Sequence, residues 1–382
     1  MHIVVNTRLL LPNKLDGIGW FSHEVLSRIT RSNPDWRFTF LFDRPFDQRF
    51  IYGPNVEGKV LFPPTRHPML YQLYFQRSIP HKLKGLNADL FFSPDGFLST
   101  RTNVIQVPVI HDLNFEHRPE DLPLAYRNYY RKYFPRFAKK AAHIITVSEY
   151  SARDIHSTYG IARDKISVAH NGFNEAFRPT TNQEKQEARN LRAKGNRYFI
   201  FVGNFSHRKN VHGIIRSFDK YKNAGGSFDL VLVGNPLWRY QEMDEALEGS
   251  PFKHHIHYSG RLQMEQLVQA MGAAEALVFP SYFEGFGIPV IEAFAAGVPV
   301  ITSTRTSLPE IAGEGAILCE PDDHEQISAA MNRLEHDESE RNQLILAGNA
   351  KVASYSWDNS ANKVQEALFH CLRTENKIHS GG

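Results

Sequence analysis

Glu275-Ala-Leu-Val-Phe-Pro-Ser-Tyr-Phe-Glu284-Gly-Phe-Gly-Ile-Pro-Val-Ile-Glu292-Ala-Phe-Ala-Ala-Gly297-Val-Pro-Val-Ile-Thr302 is the stretch on which the fold of this chain turns. Ala276 to Phe279 is a short apolar run, and Pro289 sits where a first helical turn tolerates a missing N–H. Gly297 can stop that helix, and Val298 to Thr302 resumes a β-branched run. The order strand, loop, helix, strand predicts a right-handed crossover in a parallel sheet. The loop Tyr282 to Gly287 is then expected at the carboxyl edge, where such sheets bind ligands. Glu284 falls in that loop, and Glu292 is expected in the first turn of the helix after it. The helix dipole alone favours a carboxylate there. The pair also suits a ligand whose hydroxyls need acceptors and whose phosphates face backbone N–H groups, as in a sugar nucleotide. Gly285 and Gly287 would let the backbone approach such a ligand closely.

Written out from Glu284 to Ile301, this segment closely resembles the donor-site signature of family 4 retaining glycosyltransferases of the GT-B fold. The resemblance implies an α/β chain with two Rossmann-like parallel-sheet domains facing a central cleft. It further implies that Glu284 holds hydroxyls of the transferred sugar at the reaction centre and that Glu292 holds the ribose. Gly285, Phe286, Gly287 and Ile288 would line the donor between them.

With 382 residues the chain exceeds one ordinary core, so two domains are expected. A hydrophobic share of 42% and a charged share of 22% fit a globular protein, and a formal charge of +3 argues against a dedicated nucleic-acid binder. Two cysteines, Cys319 and Cys371, form neither a disulfide framework nor a zinc spacing, which suits a reducing compartment. The start Met1-His-Ile-Val-Val-Asn turns polar too soon for a signal peptide, and no uncharged apolar run approaches the ~20 residues of a spanning helix. A cytoplasmic protein is expected, in contact with a membrane, if at all, from that side.

His2 to Asn6 reads as a buried strand, followed by a loop and a helix beginning at Gly17-Ile-Gly19. Ser22 replaces the last glycine of a dinucleotide fingerprint, and about ten residues intervene where that motif wants a tight turn. Asp43, at the end of the second strand Trp36 to Asp43, therefore resembles a dehydrogenase ribose acid only by chance. Gly53 to Val60 imitates a phosphate loop, but Val60 replaces the required Ser/Thr and a strand follows. Gly17 and Gly19 instead resemble the Gly-Gly-Ile-Gly loop of the same transferase family, beside the donor diphosphate and the acceptor, with Asp16 in place of the first glycine. Further strands are read at Asp89 to Pro94 and Val104 to Ile110. The second ends in His111-Asp112, a pair placed for chemistry at a strand's carboxyl end and matching a His-Asp of the family. The match assigns His111 to the sugar and reaction centre and Asp112 to a supporting or acceptor-side role.

Residues 124–142 carry Arg127, Arg131, Lys132, Arg136, Lys139 and Lys140 with no acid among them. Tyr126, Tyr130, Tyr133 and Phe137 fall at helical spacing, which predicts a core stripe and a solvated basic face, with Pro135 kinking the helix. The same face is suited to an anionic membrane or a lipid-linked acceptor. Asn171-Gly172 resembles the element that closes the family's first domain, which puts the acceptor-side domain at 1–175 and the donor-binding domain at 176–356. The helix 357–382 would cross back onto the first. In the second half, Gly203 ends a strand, and Arg208-Lys209-Asn210 matches the family's diphosphate loop. Two adjacent cations there are ready partners for a diphosphate. Arg261 and Leu262 resemble residues bordering the nucleotide base. His254, His255 and His257 have no nearby acid or cysteine to complete a metal site, and Ser307 is a candidate cap for another helix.

No Asp-x-Asp occurs in the sequence, so the usual metal ligands of a sugar-nucleotide diphosphate are missing. Neither metal nor cofactor is expected. Arg208, Lys209 and helix N-termini are left to stabilise the leaving group. The resemblance implies retention at the anomeric carbon and closure of the two domains over the cleft. Overall similarity to bacterial mannosyltransferases of surface-polysaccharide assembly favours GDP-mannose over UDP-glucose or UDP-N-acetylglucosamine, with a glycan or lipid-linked glycan as acceptor. The alternatives are a same-fold sugar-nucleotide epimerase or phosphorylase, and a non-catalytic sugar-nucleotide binder.

Overall fold

The computed structural model describes residues 1–12, 14–236 and 241–380. The chain divides into two compact units, Met1–Asn171 with the chain from Ser356 onward, and Gly172–Tyr355.

The first unit is built on a parallel sheet of β1 (His2–Asn6), β2 (Arg37–Phe42), β3 (Val56–Val60), β4 (Leu90–Ser93) and β5 (Ile105–Pro108), in the order β3-β2-β1-β4-β5. Two further strands, β6 (Ile144–Thr146) and β7 (Ile166–Val168), pair with each other, and a single bridge from Val109 to Ile145 joins them to the β5 side. β1 is buried along its whole length because helices cover both faces of a parallel sheet, which is why it reads as a continuous apolar run. The false phosphate loop is itself half strand, Val56–Val60, so the strand expected to follow it from Val60 lies earlier than expected. Asp43 is fully buried and bonded to Arg44 and Thr65, so it has no free oxygen to offer a ribose.

The helix read from Gly17-Ile-Gly19 begins there: both glycines lie in the first turn of the helix Gly17–Ser32, whose N-cap Asp16 accepts from the Gly19 N–H at 3.0 Å. The acid that breaks the family's glycine pattern is therefore the helix cap. The basic helix runs from Leu124 to Lys140 with Pro135 inside it. One expectation here needs correction: its buried face is Tyr129, Tyr133, Phe134 and Phe137, while Tyr126 and Tyr130 of the expected stripe are half-buried at the margin.

The C-terminal helix Trp357–Ser380 belongs to this unit; the last two positions of the expected span lie outside the described residues. It packs along the helix Gly17–Ser32, with Trp36 edge-on to Phe369 at 4.5 Å and Asn33 donating to Gln365 at 2.8 Å.

The second unit carries β8 (Tyr198–Val202), β9 (Asp229–Val233), β10 (Ile256–Gly260), β11 (Ala276–Phe279), β12 (Val300–Ser303) and β13 (Ala316–Cys319), all parallel, in the order β10-β9-β8-β11-β12-β13. The chain steps outward from β8 to β10 and then returns to the other side at β11. The β8/β11 boundary is thus the topological switch point, where an open α/β sheet leaves a crevice at its carboxyl edge. His255 and His257 do find an acid that the sequence did not reveal. Asp229 on the neighbouring strand accepts from both, at 2.8 and 2.7 Å, so its carboxylate is occupied as a shared acceptor. Among the described residues no group of three or more His, Cys, Asp or Glu is placed to hold a metal ion.

The ends of β8 and β9 approach so closely that a Cβ on Gly234, at φ +143°, would lie 1.7 Å from the Gly203 carbonyl oxygen. That contact is backbone on backbone and cannot be relieved by a rotamer change. Gly234→Ala is therefore expected to destabilise the protein by about 2 kcal/mol or more, read as a lower urea midpoint at unchanged m-value. A midpoint equal to that of the wild type would contradict the packing described.

Candidate active site

In the second unit the crevice is framed by two loops. The first leaves β8 through Gly203, forms a single 3-10 turn at His207–Lys209, and enters the helix Val211–Asn223 through Asn210 in the left-handed conformation. The second leaves β11 and enters the helix Ile288–Ala295 at Gly287, whose φ of +108° suits glycine; a Cβ there would also meet Leu308 at 2.7 Å.

The loops are tied at several points. Asn210 Nδ2 donates to the carbonyls of Pro280 at 3.2 Å and Pro321 at 2.7 Å. The Tyr282 N–H donates to Arg208 O at 2.9 Å, and Arg208 returns a bond to Phe283 O at 2.6 Å. Thr306, a non-glycine residue with φ of +59°, accepts from the Glu284 N–H at 3.1 Å. Ser307 does not cap its helix as expected, because its hydroxyl lies 2.9 Å from the Glu284 carbonyl and 3.0 Å from that of Phe286. Sequence reasoning missed these bracing roles, since each depends on a partner at least twenty residues away.

Glu284 lies where the two loops meet. Its carboxylate is buried, with Lys209 Nζ at 2.5 Å on one oxygen and Arg208 Nη1 at 3.0 Å on the other. Burial alone would raise its pKa; Arg208 and Lys209 outweigh that and hold it below the usual carboxylate range. The structure thus joins into one cluster the residues that the sequence assigned separately to sugar and diphosphate. The Lys209 ammonium also lies 4.6 Å from the Phe279 ring centroid, a cation–π contact at the end of β11.

Glu292 is placed differently from the expectation. The helix starts at Ile288, so Glu292 is its fifth residue and lies beyond the first turn, where the dipole is strongest. Its carboxyl is buried with no hydrogen bond or ion pair among the described residues, and burial pushes its pKa up to about 8. Phe286 turns its ring inward onto Tyr355 at 5.5 Å, which leaves its backbone to face the crevice beside Gly285 and half-buried Ile288. Arg261 and Leu262 follow edge strand β10, two strands from β8 and hence about 10 Å along the sheet from the charged cluster.

In the first unit, His111 follows β5 and is half-buried, edge-to-face with Phe21 at 5.1 Å. Its Nε2 lies 2.8 Å from the Pro94 carbonyl, which can only accept, so the neutral ring keeps its lone pair on Nδ1. Burial lowers its pKa, so that neutral form prevails. Asp112 accepts from the Asn114 N–H at 3.0 Å and so shapes the turn after the histidine. At this sheet's own switch point, between β1 and β4, buried Arg8 pairs with Asp95, which also accepts from Asn6 at 2.7 Å. That ion pair too was missed, its partners being 87 positions apart.

The chain matches the glycosyl transferases group 1 model over residues 182–351 and the glycosyltransferase family 4 model over residues 16–177. It is 26% identical over 362 residues to O-antigen chain mannosyltransferase B of Escherichia coli, covering 90% of this chain and 93% of that one. To O-antigen chain mannosyltransferase RfbU of Salmonella typhimurium it is 29% identical over 255 residues, 66% of each chain. Similar solved structures include Anabaena Alr3699/HepE in complex with UDP-glucose, with a TM-score of 0.74 at 18% identity, covering 97% of this chain and 100% of that one. WaaG, a glycosyltransferase involved in lipopolysaccharide biosynthesis, gives 0.74 at 15% identity, covering 95% of this chain and 98% of that one. Two parallel-sheet units of this kind define the GT-B fold. The chain belongs to the group 1, family 4 glycosyltransferases.

A carboxyl whose pKa is higher in the folded than in the unfolded chain gives the folded state an extra proton between the two values. Its contribution is then present below about 4.5 and is lost as pH rises to about 8. Glu292→Gln should therefore flatten the fall in thermal midpoint across that range relative to the wild type, a difference of the order of a few kcal/mol at its alkaline end. Parallel melting profiles would contradict a protonated Glu292.

Proposed function

We propose that the protein transfers a sugar from a nucleotide-diphosphate donor, with retention and without a metal ion, to a hydroxyl of a glycan or lipid-linked glycan in surface-polysaccharide assembly. The observation that carries this reading is the cluster of Arg208, Lys209 and Glu284 at the switch point of the second unit. One carboxylate between two cations leaves an excess of one positive charge in a largely buried setting. An incoming diphosphate can draw both cations and release Glu284 to accept from the sugar hydroxyls. Gly203 and the backbone from Gly285 to Ile288 would lie along the donor, Glu292 against the ribose, and Arg261 and Leu262 beside the base. His111, with Nδ1 free to accept, would serve the transferred sugar, Asp112 would shape its surroundings, and the turn at Gly17 and Gly19 would serve the diphosphate and acceptor.

In the reaction an acceptor oxygen bonds to the anomeric carbon while the bond from that carbon to the diphosphate oxygen breaks. The acceptor proton passes to the departing diphosphate, which leaves on the same face. Arg208 and Lys209 stabilise the charge that develops there, and no side chain need become covalently attached. GDP-mannose is the proposed donor, supported by relatives named as O-antigen mannosyltransferases. No helix among the described residues is long and apolar enough to cross a membrane. The exposed cationic face of Leu124–Lys140 is proposed to meet anionic lipid from the cytoplasmic side.

In a thermal-shift screen of sugar nucleotides, GDP-mannose should raise the midpoint most; a larger rise with another donor would replace it. Glu284→Gln should lower transfer at least about 100-fold with a well-folded product. Near-normal turnover in that variant would overturn the site assignment. Chelator should leave the rate unchanged, and a strict need for a divalent ion would refute the charge argument.

A further inference from the structure

The first unit has a second concavity, about 630 Å³ in volume, between the helix Leu124–Lys140 and the C-terminal end of the helix Glu149–Tyr159. Asn128, Arg131, Lys132, Pro135 and Lys139 line it from one stripe of the basic helix, at three- and four-residue steps from 128 through 131 or 132 and 135 to 139, and Thr158, whose hydroxyl donates to Asp154 at 3.0 Å, lies on the other helix. The one acid on its wall, Glu116, is already engaged: Tyr159 donates to one oxygen at 2.9 Å and Arg131 Nε to the other at 3.2 Å. Glu116 therefore braces Arg131 and leaves the rest of the guanidinium available. Lys132 and Lys139 are exposed and have no carboxylate partner among the described residues; Lys132 only lies over the Tyr133 ring at 5.5 Å.

Three cations thus line one hollow against a single, occupied carboxylate. Like charges on neighbouring turns of one helix repel, by a fraction of about 1 kcal/mol per pair in water at such spacings. A phosphate ester removes that repulsion and gains charge-assisted hydrogen bonds, and the neutral side chains Asn128 and Thr158 supply partners for hydroxyls. We propose that this pocket binds a phosphate ester of a polyol, met either as a dissolved phosphoester or as the headgroup of an anionic lipid. The site involves the first unit alone and is independent of the transfer reading, so its test reads binding and not turnover.

The full chain would be titrated with glycerol 3-phosphate by calorimetry, and separately co-sedimented with phosphatidylcholine vesicles with and without phosphatidylglycerol. The wild type should bind at least one of the two phosphate-bearing probes. Saturable binding of glycerol 3-phosphate identifies a dissolved ester as sufficient; binding confined to the phosphatidylglycerol vesicles identifies the lipid headgroup. Lys132→Glu with Lys139→Glu should weaken the observed binding at least about tenfold, and the Arg pair at the same positions should retain it. Lys194→Glu with Lys253→Glu, an equal change of charge on exposed residues of the other unit, should leave it within about twofold. If the Glu pair fails to fold, Lys132→Gln with Lys139→Gln takes its place and should also weaken binding. The proposal is overturned if neither probe binds, if the pocket variants bind as the wild type does, or if the remote pair loses as much affinity as the pocket pair.

Discussion

The contact of Glu284 with Lys209 and Arg208 is the constraint around which the second unit is arranged. Removing a carboxylate from water costs several kcal/mol, and a buried ion pair recovers this only when its geometry is good and its remaining lone pairs are met. Here the carboxylate comes from the β11 loop and both cations from the β8 loop, so the charges must be brought together across the switch point. The backbone does this work. Asn210 grips the β11 side, the Tyr282 N–H donates to the Arg208 carbonyl while the Arg208 guanidinium donates to that of Phe283, and Thr306 and Ser307 brace the loop. The left-handed conformation of Thr306 is a local strain of the kind found where a site is held in one shape.

Eight residues on, Glu292 shows the opposite outcome for the same side chain. It is as deeply placed as Glu284 but has no cation beside it, and so it keeps its proton up to about pH 8. Two carboxyl groups on one loop and helix are thereby driven to different protonation states by their surroundings, a common way of giving like groups unlike roles. An ionised carboxylate can only accept hydrogen bonds, whereas a neutral carboxyl can also donate one. The pair therefore presents two kinds of partner to a ligand rich in hydroxyls.

Much of this was legible in the sequence because it is local. The run from Glu275 to Thr302 contains its own strand, glycine, proline and helix stop, and it folds as those residues dictate. Strands such as His2–Asn6 and Tyr198–Val202 are buried from end to end because both faces are covered, and read as short apolar runs. Roles near helix starts were less legible. The helices read at Gly17 and around Pro289 begin where expected, but Glu292 is the fifth residue of its helix and so just past the first turn, and Asp16, noted only as a change in a glycine pattern, is the cap that starts its helix. The least legible features are pairings across the fold: Arg8 with Asp95, Asp229 with two histidines of the next strand, and Ser307 with the carbonyls of the loop above it. No periodicity encodes these, since each depends on which strand lies next to which.

The two sheets also show why similar topology does not produce equivalent sites. Each has one switch point, and each places an arginine and an acid there. In the first unit Arg8 and Asp95 neutralise one another, and the guanidinium is further enclosed by the Phe97 ring at 4.3 Å and the Tyr71 ring at 5.0 Å. Burial alone would lower the Arg8 pKa, but Asp95 reverses this and keeps the pair charged and closed on itself. The pair offers no net charge to attract an anion, and His111 near this edge keeps a lone pair on Nδ1. In the second unit the additional lysine sets two cations, Arg208 and Lys209, against the one carboxylate of Glu284. Under the function proposed above, a phosphate-bearing donor would be drawn to the second sheet, and the first would contribute neutral hydrogen-bonding chemistry. The difference comes from Lys209, a second cation on the acid, where the other sheet packs aromatic rings and the Thr65 hydroxyl around its arginine.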